Sequence, residues 1–304
     1  MSTGNGIRGA LVAVCAAVAL GAAGCGTASG GPGRARLAEL TDVQQITVAR
    51  AQEQLTKRCM ADRGFWYGVA EQPTGDELHA PGYVLDDPRW AREHGYGGRI
   101  QRAQDMARTA DPNIAYYRKL SPERRLRWSD ALFGGPEAAT VEARMPGGST
   151  VSMAAEGCNA EALRTLYGDL GTWFRAEKTV SGLSALYEPR IKRDKSFVPA
   201  VDSWARCMRD KGHRYPDPAA LRERIPKLTR GLSDARAHAV EVRLAVAEAA
   251  CARSSGLGRT SRALEARYRE ELAEGRYREQ VGTHLRLQHE ALAKAEDVLG
   301  DASA

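Results

Sequence analysis

Aromatic side chains are scarce in this chain, 6% of the residues with only four phenylalanines, so a core built from it has few large rings to fill it. Lysine is rarer still: eight residues against thirty-six arginines. No HExxH occurs, and the six histidines, at 79, 94, 213, 238, 284 and 289, show no metal-ligand spacing; His284 and His289 are five apart and fall on different sides of a helix. No two cysteines downstream of Cys25 form a CxxC pair, which removes support for a zinc site or a redox motif. G-x-S-x-G, P-loop and strand-to-helix GxGxxG sequences are missing too, so serine hydrolase, nucleotide and dinucleotide chemistry have no anchor, and no cofactor is expected. No strand and helix alternation of a two-lobed α/β solute-binding protein is visible.

What is present begins with an address. Residues 1–8 are polar with one charge, Arg8, and Gly9–Ala22 is an unbroken small and apolar run, of signal-peptide length and short for a bilayer span. The run ends Leu20-Gly21-Ala22-Ala23-Gly24-Cys25. This resembles the lipobox of bacterial lipoproteins, with Ala23 and Gly24 fitting the pattern and Ala22 standing where those proteins usually carry Leu or Val. The resemblance implies cleavage before Cys25, acylation of its sulfur and attachment to the outer face of the cell membrane. Residues 1–24 then read as a lipoprotein signal peptide, and residues 25–36, rich in Gly and Ser, as a flexible tether. Twin arginines are absent, so export in an unfolded state is expected. Losing Arg8 leaves a formal charge of +5, too mild to mark a nucleic-acid binder; the compartment argues against nucleic acid more strongly.

Cys15 leaves with the leader and Cys25 takes the lipid, which leaves Cys59, Cys158, Cys207 and Cys251 in an oxidising compartment, a set that reads either as two disulfides or as four buried thiols. An internal repeat chooses among the three connectivities. Residues 58–67 read RCMADRGFWY and residues 206–215 read RCMRDKGHRY, so Arg, Cys, Met, Asp, Gly and Tyr recur at identical offsets. Each copy ends an apolar stripe of helical period: Val48, Ala51, Leu55 and Cys59 in the first, Val201, Trp204, Ala205 and Met208 in the second. Gly64 and Gly212 stand where a left-handed cap favours glycine. Each copy is followed by one further cysteine in a helical context, Cys158 and then Cys251, the latter on the stripe Val240, Leu244, Ala247, with Ser233 or Asp234 as N-cap. The repeat therefore predicts Cys59 with Cys158 and Cys207 with Cys251.

The expected fold is all-α: two unequal disulfide-stapled helical pseudo-repeats over residues 37–195 and 196–304. The first carries an insertion over 69–148 in which Asp87-Pro88, Asp111-Pro112 and Ser121-Pro122 each predict an N-cap with proline at the first helical position. At the C-terminal end, Val281, Leu285, Leu292, Ala295 and Leu299 follow the spacing of a helical hairpin or short coiled coil, broken near Gly275 or Gly282, and a helix packed on its own domain is preferred to a partner-binding coiled coil.

At RCMRDKGHRYPDP, at Gly157-Cys158 with Leu166-Tyr167-Gly168-Asp169, and at Leu120 to Arg124, the chain resembles a group of uncharacterised secreted lipoproteins of Streptomyces and related actinobacteria. The resemblance covers most of the chain after Cys25 and carries no activity. The residues themselves offer two functional readings. Phe65, Trp66, Tyr67, Tyr83, Trp90, Tyr96, Tyr116 and Tyr117 either line a groove for a cell-wall polymer or envelope protein, or fill the core. Glu71, Asp76, Glu77, Asp86 and Asp87 include enough carboxylates for a wall-active glycoside hydrolase, which needs two across the scissile bond. A non-catalytic binding or scaffold module of the envelope is the first reading and the hydrolase the second.

Overall fold

The computed structural model describes residues 37–69 and 82–301; the leader, the tether with Cys25, and Glu71, Asp76 and Glu77 lie outside the described residues. The described residues form one compact unit. Of the described residues 71% are helical and 4% lie in strands, so the all-α reading holds and the strands are an addition to it. Up to residue 195 the elements are α1 (Asp42–Asp62), α2 (Pro88–His94), α3 (Gly98–Thr109), α4 (Pro112–Lys119), α5 (Pro122–Phe133), β1 (Thr140–Arg144), β2 (Thr150–Ala154), α6 (Cys158–Tyr167), α7 (Leu170–Ser181) and α8 (Ser184–Lys192). The second half adds α9 (Phe197–Asp210), α10 (Pro218–Thr229), α11 (Asp234–Ser254), α12 (Leu257–Glu274) and α13 (Arg278–Asp301).

Local chemistry sets most of the helix ends. Thr41 and Gln44 form a capping box at the start of α1, the Gln44 N–H donating to the Thr41 hydroxyl and the Thr41 N–H to the Gln44 side chain. Asp87, Asp111 and Ser121 cap α2, α4 and α5, each with proline in the first turn, as their spacing predicts. The repeated segments end α1 and α9 in the same way. Gly64 and Gly212 take φ +77° and +82°. The Phe65 N–H donates to the Met60 carbonyl at 2.9 Å and the His213 N–H to the Met208 carbonyl at 2.8 Å, while Gly64 and Gly212 donate to Ala61 and Arg209. This is the Schellman pattern, which satisfies carbonyls that the helix end would otherwise leave open. Just before each exit a disulfide fastens the helix: Cys59 to Cys158 and Cys207 to Cys251, both with Cα atoms 5.6 Å apart.

The halves interlock. The core around Trp204 and Met208 of α9 takes Leu221 of α10, Leu244 and Cys251 of α11, and Leu257 and Leu264 of α12. A second core joins Val48 and Ala51 of α1 and Leu163 and Leu166 of α6 to Leu287, Ala291 and Ala295 of α13. The last helix thus belongs by packing to the first repeat, and the expected hairpin with its neighbour is replaced by a groove between α1, α6 and α7. Its apolar stripe is real, but the faces that cover it come from far away in sequence. Conversely, α2 and α3 of the first repeat's insertion pack on α11 of the second. The strands, absent from the sequence reading, pair antiparallel with Val141 opposite Met153 and Ala143 opposite Val151. Ala143 is buried and β1 lies against α7.

Between α8 and α9, Asp194 holds the chain to α12. Its carboxylate accepts from the Ser196 N–H at 2.9 Å and hydroxyl at 2.6 Å, from the Tyr268 hydroxyl at 2.7 Å and from Arg267 at 2.6 Å. The hydrogen bonds from Ser196 and Tyr268 keep this carboxyl well below the usual aspartate range. Its stabilising contribution is therefore complete above about pH 4, the unfolded aspartate value, and lost as pH falls through the lower native one. Melting temperatures recorded from acid to neutral pH are expected to show Asp194→Asn less stable than wild type at neutrality, with the gap closing below about pH 4; a gap constant across the range would contradict the ionised Asp194. Gly64→Ala and Gly212→Ala are each expected to lose about 1–2 kcal/mol in urea unfolding through left-handed strain alone, since no atom lies within 4 Å of either added Cβ.

Candidate functional site

The aromatic residues of the sequence reading fall into two groups rather than one groove. Phe65, Trp66 and Tyr67 follow the α1 exit and meet Tyr116 and Tyr117 of α4 over the buried Trp128 of α5. Trp66 and Tyr116 have ring centroids 5.4 Å apart, and the Trp128 indole donates to the Trp66 carbonyl. Trp66, at 49% exposure, is the most exposed aromatic of the set. Tyr67 is half-buried, its hydroxyl donating to Glu53 at 3.2 Å, and burial with that carboxylate pushes the phenol well up. Tyr83, Trp90 and Tyr96 lie instead with the second repeat. Tyr83 packs on Phe197. Trp90 is buried against Ala245 and Ala249 of α11, and Tyr96 is committed through its hydroxyl to Glu248. The division follows from the packing of α2 and α3 on α11 while α4 and α5 stay with α1 and α6.

The two described carboxylates of the hydrolase reading already have partners. Asp86 forms an ion pair with Arg262 and is 18% exposed. Asp87 accepts from the Arg89 and Trp90 N–H groups at 2.8 and 3.2 Å as the cap of α2. Both border an open cleft of about 690 Å³ whose other walls are Pro88, Arg89, Arg92, Arg253 and Arg262. Arg89 and Arg92 come from α2, Arg253 from the end of α11, and Arg262 from the second turn of α12. The Arg253 Nε–H donates to the Asp86 carbonyl at 3.1 Å, which ties the α11 end to the cleft floor.

The residues that sequence reading missed are Glu241 and Glu248. Glu248 has no exposed side-chain surface, and its carboxylate accepts from the Leu85 N–H at 3.0 Å, the Tyr96 hydroxyl at 2.8 Å and Arg222 at 2.9 Å. Burial pushes this carboxyl up, against the pull of the Arg222 guanidinium and the two other donors; Tyr96 is raised by its own burial and by the facing carboxylate. Arg222 also donates to the Gly82 carbonyl at 2.6 Å. Two helical turns earlier, Glu241 accepts from the Gly98 N–H at 3.1 Å, supplying from α11 the cap that α3 lacks in its own sequence. A Cβ at Gly98 would collide with the Glu241 carboxylate, so the close approach needs a bare backbone there. Seven-residue spacing puts both acids on one face of α11, beside the apolar stripe of Leu244, Ala247 and Cys251, and that pattern was the available signal.

No family model matches the chain, and no curated protein or solved structure is significantly similar to it.

Glu248→Ala strands the Leu85 N–H, the Tyr96 hydroxyl and Arg222 together. A loss of about 3–5 kcal/mol in chemical unfolding is expected, against well under 1 kcal/mol for the exposed acid replacement Glu279→Ala; equal losses would remove the node from the account.

Proposed function

We propose that this protein is a lipid-anchored lipoprotein of the extracytoplasmic face of the cell membrane, acting there as a non-catalytic binding or scaffold module of the envelope. The observation that carries the reading is that the four cysteines downstream of Cys25 pair with one another in two disulfides. Such bonds persist in oxidising compartments, beyond the cytosol, and this pairing leaves the sulfur of Cys25 unclaimed by them. The lipobox-like end of the leader supplies the route, and a tether of Gly and Ser after it separates the compact unit from the bilayer. Among the described residues no helix is long and apolar enough to cross a membrane. Two acyl chains on one cysteine hold firmly, each buried methylene contributing about 0.8 kcal/mol. The likeness to actinobacterial secreted lipoproteins agrees with this setting.

Partners in this reading are the membrane itself and an envelope protein or cell-wall polymer meeting the folded unit. The exposed Trp66 and the arginine-walled cleft are the surfaces offered to them. Of the carboxylates of the glycoside hydrolase reading, the two among the described residues, Asp86 and Asp87, are held by an arginine and a helix end.

Cells fed an alkyne palmitate analogue are expected to label the wild-type chain, and Cys25→Ser is expected to abolish the label and move the protein from the membrane to the soluble fraction. Retention of the variant on membranes, with no label in the wild type, would contradict the anchor.

A further inference from the structure

We infer that the cleft between α2 and the junction of α11 with α12 is a binding site for a phosphate-bearing anion. This deepens the binding half of the proposed function and does not depend on the lipid anchor. Four of its seven wall residues are arginines delivered by three separate helices. The two acidic residues leave three of these arginines without a carboxylate partner. Asp86 is taken by Arg262, and Asp87 accepts from the backbone of α2. Among the described residues, no carboxylate lies within ion-pair distance of Arg89, Arg92 or Arg253, although other arginines at the surface, such as Arg99, Arg190 and Arg267, find one.

Arg89 and Arg92 are three residues apart on one helix, a spacing that brings like charges together and disfavours the helix unless an anion relieves them. The floor beneath them is fixed: Arg253 binds the Asp86 backbone, and Gly258 lies so close to the Asp86 carboxylate that a side chain there would collide with it. A carboxylate ligand presents two coplanar oxygens and is satisfied by one guanidinium fork. A phosphate presents three or four around a tetrahedral centre, which suits guanidinium groups converging from different elements. A volume of about 690 Å³ exceeds that of a bare phosphate and accommodates the group it esterifies, within the range of small-ligand sites. Both a soluble phosphate ester and the phosphate of an anionic lipid headgroup carry this chemistry.

Full-length protein, purified in a neutral glycosidic detergent, would be titrated calorimetrically with glycerol phosphate and, separately, with short-chain phosphatidylglycerol. Wild type is expected to bind at least one, and the double variant Arg89→Ala/Arg92→Ala to bind it at least about tenfold more weakly, with Arg236→Ala, exposed and away from the cleft, unchanged. The paired lysine replacement, which keeps the charge and loses the fork, is expected to fall between wild type and the alanine variant. Tighter binding of glycerol phosphate would assign the site to a soluble ester, and tighter binding of the lipid to a headgroup. Wild type binding neither ligand, or an alanine variant that folds and binds as wild type does, would overturn the proposal. Cys25→Ser is expected to bind as wild type does, so failure of the anchor and failure of the cleft are separable.

Discussion

A carboxylate with no exposed surface, Glu248, joins three segments to α11: the loop at Leu85, the turn at Tyr96 and helix α10 through Arg222. Burying a charge costs several kcal/mol unless donors replace the lost water, and here three donors do so. Once Glu248 is placed, Glu241 follows on the same face and receives the start of α3. These two acids explain why residues 82–109, which belong by sequence to the first repeat, are held by the second. They also explain the cleft, because docking of α2 on α11 brings Arg89 and Arg92 opposite Arg253 and Arg262.

The disulfides and the glycine exits solve a different problem. The cores set a few rings such as Trp204 and Phe197 among Ala and Leu packed between helices, and a helix that must turn sharply at its end loses capping bonds at that point. In both repeats the same short segment supplies the cysteine that anchors the helix, the methionine that fills the core and the glycine that ends it. Met60 and Met208 have no exposed surface, and each receives the hydrogen bond that closes its exit. A bridge over 99 residues in one case and 44 in the other removes much of the freedom of the unfolded chain, about 2–4 kcal/mol in typical cases.

How much of this was legible depends on whether a feature is local. The stripes ending at Cys59, Met208 and Cys251, the proline-started helices at Pro88, Pro112 and Pro122, and the exits at Gly64 and Gly212 all rest on residues within a few turns of one another, and their letters show them. The disulfide pairing was legible because the repeat supplied a symmetry that spacing alone lacks. The partner of α13 was not, since an apolar stripe states which face is buried and says nothing of what covers it. Glu241 and Glu248 were passed over because charged residues in a chain that is 27% charged read as solvent-facing, although their seven-residue spacing within an alanine-rich helix marks them as one face. The hairpin at 140–154 was missed because two five-residue strands give a weak alternation. The cleft drew on four of thirty-six arginines, spread from position 89 to 262, and only the fold brings them together.

The central claim is that Glu248 fastens residues 82–98 to α11, and amide hydrogen exchange reads it most directly. In wild type, the Leu85 N–H is expected to exchange as slowly as the middle of α11, and in Glu248→Gln it is expected to exchange much faster while the α1 and α6 amides keep their protection. Fast exchange at Leu85 in the wild type, or protection there that survives the substitution, would contradict the account.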